Sequence, residues 1–268
     1  VTGTLRCSVV IPVHDMARYL PEAIESVLAQ EGCDWDLAII DDGSTDGSAD
    51  IARRYASDRV RVIDEGRLGG PAEARNRGLR DCRAEAVVFL DADDRLLRGS
   101  LARLTGPLAR DPLLAVAYGE VRAIDADGQP LGTGKPPIFR RRRPSGDVVA
   151  ALLRGTPIAT PGAAALRRSH LERAGGFRPL PIGEDWELYC RLSLLGTFLY
   201  VRGPPVLEYR SHPGSLTATR VGFVEHLHPA IDAIFDNAGI RERVPREVLR
   251  EQRRRCIAGS HGYAGRIA

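Results

Sequence analysis

Ala86-Val87-Val88-Phe89-Leu90-Asp91-Ala92-Asp93-Asp94 is a short apolar run that ends in three carboxylates within four residues. Val- and Phe-rich runs of this length read as buried strands. In an open α/β sheet, ligands bind outside the carboxyl ends of the strands, so this acidic end marks an expected site. Clustered carboxylates repel each other and raise each other's pKa, a conflict that a divalent cation removes. Oxygen donors suit Mg²⁺ or Mn²⁺, and Mg²⁺ usually takes one or two carboxylates plus substrate phosphates. The plain alternative is a solvated acidic turn that caps the next helix.

Upstream, the pattern recurs. Ser8-Val9-Val10-Ile11-Pro12-Val13 reads as a first strand. Pro12 cannot donate to a ladder, so the strand should end or open there, leaving His14 and Asp15 on a loop. A helix is expected over about 18–30, with Leu20, Ile24, Val27 and Leu28 on one face. Trp35 to Ile40 forms a second strand and runs into Asp41-Asp42-Gly43-Ser44-Thr45-Asp46-Gly47-Ser48. Asp46 and Ser48 suit the N-terminus of the following helix, which leaves Asp41 and Asp42 without a capping role. A carboxylate there can accept the N3–H of uracil or a ribose hydroxyl. Val60 to Ile63 is a third strand. The glycine-rich segment Arg67 to Gly78 opens onto a helix carrying Arg75, Asn76 and Arg77. Helix N-termini and arginines both suit phosphate.

The first ninety-odd residues therefore alternate strand and helix, as in a nucleotide-binding Rossmann-like half. Neither G-x-G-x-x-G nor G-x-x-x-x-G-K-[ST] is present, so a dinucleotide fold and a P-loop are not supported. The chain of 268 residues suffices for one large α/β domain or two small ones. Its net charge of +3 does not point to nucleic acid, and Lys135 is the only lysine beside a large arginine content. Five scattered cysteines without a C-x-x-C pair argue against a disulfide scaffold or a zinc site and fit a reducing cytoplasm. No membrane-spanning run or signal peptide is expected.

With these segments in order, the chain resembles a family 2 glycosyltransferase of the GT-A fold. The resemblance rests on Ser8 to Asp15, Asp41 to Ser48, Ala74-Arg75-Asn76-Arg77-Gly78, and Phe89 to Asp94. It departs at His14-Asp15, where the family often has Tyr-Asn. It implies that Pro12, Val13, His14 and Asp15 line the nucleotide pocket and that Asp42 contacts the base. Arg75 and Asn76 would approach the diphosphate. Asp91, Ala92 and Asp93 would form the D-x-D motif, with Asp94 a further candidate metal ligand.

The second half should select the acceptor. A helix over 101–109, a strand over 115–119 and a turn at Asp125-Ala126-Asp127-Gly128 are expected. The basic run Phe139 to Pro144 reads as a solvated loop or as a contact for phosphorylated groups or an anionic membrane. Thr160 to Arg168 reads as leading into a helix that ends at Gly175-Gly176-Phe177. Glu184 and Asp185 then sit at the N-terminus of a helix with the stripe Trp186, Tyr189, Leu192 and Leu195, where carboxylates are stabilised. The pair resembles the family's Glu-Asp motif after Gly-Gly-Phe. The resemblance makes Asp185 the general base of an inverting transfer, with Glu184 beside it in the substrate site. Phe198 to Val201 is a strand. Tyr209-Arg210-Ser211-His212 resembles the family's closing segment, which places His212 near the metal or diphosphate. Residues after Val221 read as helical, and the basic stretch Arg241 to Arg255 is a candidate to dock on the core, a partner subunit or a membrane surface.

The expected fold class is α/β: a GT-A, Rossmann-like mixed sheet with helices on both faces and a helical C-terminal extension. The expected domains are 1–220, with a nucleotide-binding half over 1–97 and an acceptor half over 98–220, and the extension over 221–268. The resemblance implies an inverting transferase dependent on Mn²⁺ or Mg²⁺. Its donor would be a nucleotide diphosphate sugar, UDP favoured. The acceptor is left open between a saccharide, a lipid-linked sugar, a protein and a natural product. Two alternatives stand beside it: a nucleotidyltransferase that makes an activated sugar, and a non-catalytic nucleotide-sugar binding module. A cytoplasmic place is expected. Peripheral contact with the inner membrane face, and a homo-oligomer through the extension, are left open.

Overall fold

β1 (Cys7–Val13) lies at the heart of the protein, with every residue buried except Pro12. The computed structural model describes residues 3–131, 143–215 and 223–264, excepting the side chains of 223–225 and 259–264. Most of the basic run, residues 139–142, and the end of the closing segment, Leu216 and Thr217, lie outside the described residues. β1 pairs in parallel with β2 (Trp35–Asp41) as far as Val13, but its parallel pairing with β4 (Ala86–Phe89) stops at Val10. The strand thus opens on one side just before Pro12, the residue without an N–H.

After β1 come α1 (Leu20–Leu28), β2, α2 (Ser48–Arg54), β3 (Val60–Asp64), α3 (Pro71–Asp81) and β4. β3 pairs in parallel with β2, and β2 is buried at all seven positions, so both faces of this sheet are covered. α3 lies close on β1: a Cβ on Gly78 would fall 2.4 Å from Val10 Cγ1. The chain continues through β5 (Arg95–Leu96), α4 (Ser100–Arg110), β6 (Leu114–Tyr118), β7 (Val121–Ile124) and α5 (Val149–Leu152). β8 (Ala164–Arg167), α6 (Arg168–Ala174), α7 (Glu184–Ser193), β9 (Thr197–Tyr200) and β10 (Leu207–Arg210) follow.

The seven-stranded sheet has the order β3-β2-β1-β4-β8-β6-β9. β8 runs antiparallel to both its neighbours. The alanine-rich stretch expected to lead into a helix is therefore partly a central strand. Burial on both faces overrides the helical preference of Ala164 and Ala165, each fully buried. The turn at Asp125 forms, and among the described residues the hairpin expected there is an isolated bridge between Ile124 and Pro130. A second sheet, β5-β10-β7, carries β10 past the end of β4.

α8 (Phe223–Phe235), α9 (Ala238–Arg243) and α10 (Arg246–Ala264) form the C-terminal region. Ile231, Ile234, Phe235 and Ile240 are buried, and Cys256 Sγ donates to the carbonyl of Leu153 at the end of α5. Of the open docking choices, the described part of this region takes the chain's own core. No helix among the described residues is long and apolar enough to cross a membrane.

Candidate active site

The apolar strand β4 delivers its acidic end to a crossing point of both sheets. Asp91 Oδ1 accepts from Arg75 Nη2 at 2.7 Å, and Asp91 Oδ2 lies 3.0 Å from the Thr160 hydroxyl. Asp93 Oδ2 is 3.0 Å from His212 Nε2. Asp94 turns inward: it is buried, accepts from the Arg210 N–H at 2.9 Å and lies 3.3 Å from the Thr160 hydroxyl. Burial first, then the neighbouring Asp93 and Asp91, raises its carboxyl well above the usual range. Of the three acids, Asp94 is thus committed to the protein interior, and Ala92 is buried beside it.

Arg210 builds this turn, a role that the sequence reading missed. Its side chain is fully buried. Its Nε donates to the Asp93 carbonyl at 2.8 Å, Nη1 to the Ala126 carbonyl at 3.2 Å, and Nη2 to Glu22 at 2.7 Å. The guanidinium also lies 4.8 Å from the Tyr19 ring centroid, and that ring packs on His212 at 4.7 Å. Arg210 lies in the closing segment Tyr209–His212 and Thr160 in the stretch Thr160–Arg168, but neither carried an expected role there, and nothing in the sequence marks Tyr19.

Arg75 joins this strand end to α7. Its Nη1 donates to Glu184 Oε1 at 2.7 Å while Nη2 holds Asp91, a reach of 109 residues along the chain on the first side. Burial alone would lower the Arg75 pKa, but Asp91 and Glu184 raise it, so the guanidinium keeps its charge. Its Nε is buried without a partner among the described residues. Beside Glu184, Asp185 is half-buried, and its Oδ1 accepts from the Trp186 N–H at 2.7 Å. Burial, then the charge of Glu184, pushes the Asp185 carboxyl up to about 7 against the pull of Trp186 N–H and Arg75. A carboxylate with that value can take a proton near neutral pH.

The ends of β1 and β2 form the adjoining wall. Val13 is buried, Pro12 half-buried and His14 exposed. His14 Nδ1 is 3.0 Å from the Asp42 carbonyl, and Arg67 contacts the same ring. Asp15 has φ +52° and accepts from the Thr45 N–H at 2.7 Å. Asp46 accepts from the Ser48 N–H at 3.0 Å, but the N-cap position of α2 is Gly47, where no side chain caps the helix. Asp41 and Asp42 cap no helix, as expected, but both are engaged by backbone N–H groups of the turns around them. Asp41 accepts from the Ser44 N–H at 3.0 Å, and its Oδ1 is buried without a partner. Asp42 accepts from the backbone N–H groups of Leu68, of Gly69 at 3.1 Å and of Gly70 at 2.8 Å. It fills the N-terminal approach to α3 where a phosphate was expected. Asn76 is likewise engaged: its amide pairs with both the N–H and the carbonyl of Phe177, each at 2.8 Å.

The family model described as "Glycosyl transferase family 2" matches residues 8–175. The chain belongs to this family. This family 2 chain is 30% identical to the glycosyltransferase GlyG of Streptococcus pneumoniae over 122 residues, 45% of the chain and 36% of GlyG. It is 28% identical to the chondroitin synthase of Escherichia coli over 197 residues, 72% of the chain and 27% of that protein. The chain thus spans about a third or less of these two relatives. In fold it is similar to TarS 1–349 of S. aureus, solved with UDP-GlcNAc: TM-score 0.69, 19% identity, 86% of this chain and 66% of the other. The mannosyltransferase PcManGT of Pyrobaculum calidifontis, solved with GDP-Man and Mn²⁺, gives TM-score 0.68 at 22% identity, over 100% of this chain and 77% of the other. The mixed sheet and its helices are the GT-A arrangement.

Proposed function

We propose that the chain is an inverting, metal-dependent glycosyltransferase. It moves a sugar from a nucleoside diphosphate sugar to a hydroxyl or amine of a saccharide, lipid-linked sugar, protein or natural-product acceptor. One observation carries this reading: Arg75 bridges Asp91 at the end of β4 to Glu184 at the start of α7. That bridge brings the D-x-D segment and the Glu-Asp segment to one cleft, as donor and acceptor chemistry at one anomeric carbon requires.

Asp185 is the general base. It takes the proton of the acceptor hydroxyl as that oxygen attacks the anomeric carbon, and positioned bases contribute roughly 10²–10⁴-fold. Asp93 Oδ2 and His212 Nε2, 3.0 Å apart, have the spacing of two adjacent ligands on one cation. For octahedral bonds of about 2.1 Å that spacing is about 3.0 Å. Among the described residues no three His, Cys, Asp or Glu side chains converge on one metal position. Asp93 and His212 would therefore hold the ion together with water or diphosphate oxygens; Asp91, engaged by Arg75 and Thr160, and the buried Asp94 are left out. Bound Mn²⁺ or Mg²⁺ supplies charge stabilisation to the departing diphosphate.

Arg75 is buried and gives its Nη groups to Asp91 and Glu184, so its part is to hold these two carboxylates in register. The ends of β1 and β2, with Pro12 to Asp15 and Asp42, form the base pocket. A carboxylate has about four lone-pair sites. Asp42 uses three on the 68–70 backbone, so one is left for the N3–H of a uracil or thymine ring, and UDP-sugars are the first donors to try. The presence of both Asp185 and the Asp91/Asp93 pair speaks for catalysis over a binding module. The test is transfer or hydrolysis of UDP-sugars by Asp185→Asn. Diphosphate affinity should hold while turnover falls about 10²-fold or more, and the wild-type product should show an inverted anomeric centre. Full turnover by the variant, or a retained configuration, would overturn the reading.

A further inference from the structure

The amide of Asn76 on α3 grips the main chain of one residue with both its nitrogen and its oxygen. Nδ2 donates to the Phe177 carbonyl and Oδ1 accepts from the Phe177 N–H, both at 2.8 Å. The approach is so close that a Cβ on Gly176, whose φ is +71°, would lie 2.5 Å from Asn76 Oδ1. Arg191 on α7, itself paired with Glu187, holds the same loop from the other side, donating to the Gly176 carbonyl at 2.8 Å. The loop so fastened presents the buried Phe177 ring. That ring meets Phe89 of β4 edge-on at 4.9 Å, and the Arg75 guanidinium lies 5.3 Å from its centroid. Arg75 Nε is buried and has no hydrogen-bond partner among the described residues. The aromatic surface is what remains to seat it.

We propose that Asn76 is a positioning residue and not a donor contact: by clamping the Phe177 backbone it holds the ring that seats Arg75 between Asp91 and Glu184. The clamp ties α3 to the loop that leads into α7, so the two halves of the cleft are set by one amide. The kinetic part of this proposal rests on the glycosyltransferase reading; the structural part does not.

Three variants test it. Asn76→Ala removes the amide. Phe177→Leu removes the ring but keeps a backbone that Asn76 can clamp. Gly176→Ala displaces the amide by contact. UDP affinity with Mn²⁺ is read by calorimetry, turnover by release of UDP from the UDP-sugar that the wild type uses, and folding by melting temperature. Small misplacements of catalytic groups cost up to about 10²-fold. Asn76→Ala and Phe177→Leu should each lower kcat about 10–100-fold, with KM and the UDP Kd within about threefold. A tenfold weaker UDP Kd in Asn76→Ala with Phe177→Leu unaffected would make Asn76 a donor contact and overturn the proposal. A lower melting temperature with kcat unchanged in the folded protein would do the same. A crystal structure of Asn76→Ala, or of Gly176→Ala if the first does not fold, decides the matter without any turnover. The Arg75 bridge to Asp91 and Glu184 should be broken or displaced; a bridge unchanged would overturn the proposal. Absence of any UDP binding or turnover in the wild type would instead count against the glycosyltransferase reading, and leave the crystallographic arm standing.

Discussion

Asp93 and His212 meet at 3.0 Å across 119 residues, one at the end of a strand in the large sheet and the other just past a strand of the small one. The contact exists because Arg210, buried two residues before His212, is bound to the Asp93 carbonyl and to Glu22. A nitrogen and an oxygen donor are thereby presented side by side.

His212→Ala should weaken Mn²⁺-supported UDP binding by about tenfold or more, which corresponds to about 1.4 kcal/mol. UDP binding without metal should change little. Titrations with and without Mn²⁺ read the two cases, and an equal loss in both would assign His212 to the diphosphate or to folding instead.

Asp185 sets the pH dependence. Its carboxyl is pushed up to about 7 by burial and by Glu184, against an unfolded value of about 3.9. The base form appears as pH rises, so turnover should climb through about pH 7 and level off above it. Stability runs the other way. The folded state holds this proton more tightly than the unfolded chain, so the favourable contribution is present below the unfolded pKa and is lost as pH rises to about 7. Asp185→Asn should therefore melt higher than wild type at pH 8 and equally at pH 4. A melting-temperature series on both proteins checks the sign.

Arg210 is a structural cation whose planar fork is used on three sides. Arg210→Lys keeps the charge but not that geometry. Removing one partner from a buried pair costs about 3–5 kcal/mol. At roughly 2–4 °C per kcal/mol, Arg210→Ala should lower the melting temperature by about 6 °C or more, and Arg210→Lys should recover only part of it.

Gly78 lies where α3 meets β1 and β2. Gly78→Ala would place a Cβ 2.4 Å from Val10 Cγ1 and 3.2 Å from Ile40 Cγ1. Overpacking of this kind costs about 1–3 kcal/mol. A lowered denaturation midpoint in urea, with an unchanged slope, is the expected result.

Much of the nucleotide-side architecture was legible because the runs at 8–13, 35–40 and 86–90 are apolar, short and followed at once by polar turns. A strand buried on both faces leaves that mark in the residues themselves. β8 left none: alanine suits a helix as readily, and only its place between β4 and β6 makes it a strand. β5, β7 and β10 are short and owe their existence to partners far along the chain. The same limit applied at the site. Asp42 could be read as a free carboxylate because its partners are backbone N–H groups 26 to 28 residues away, which no side-chain pattern announces. Asp93 and Asp94 are adjacent and chemically alike, and only the path of the turn makes one a cleft group and the other a buried anchor for Arg210.

The most direct measurement is calorimetric titration with UDP, dTDP and GDP, each with and without Mn²⁺, on wild type and Asp93→Ala. The account predicts that one diphosphate, UDP first, binds in a Mn²⁺-dependent manner to wild type and loses that dependence in Asp93→Ala. Failure of all three to bind under either condition would contradict it, and would return the acidic end of β4 to a capped, solvated turn.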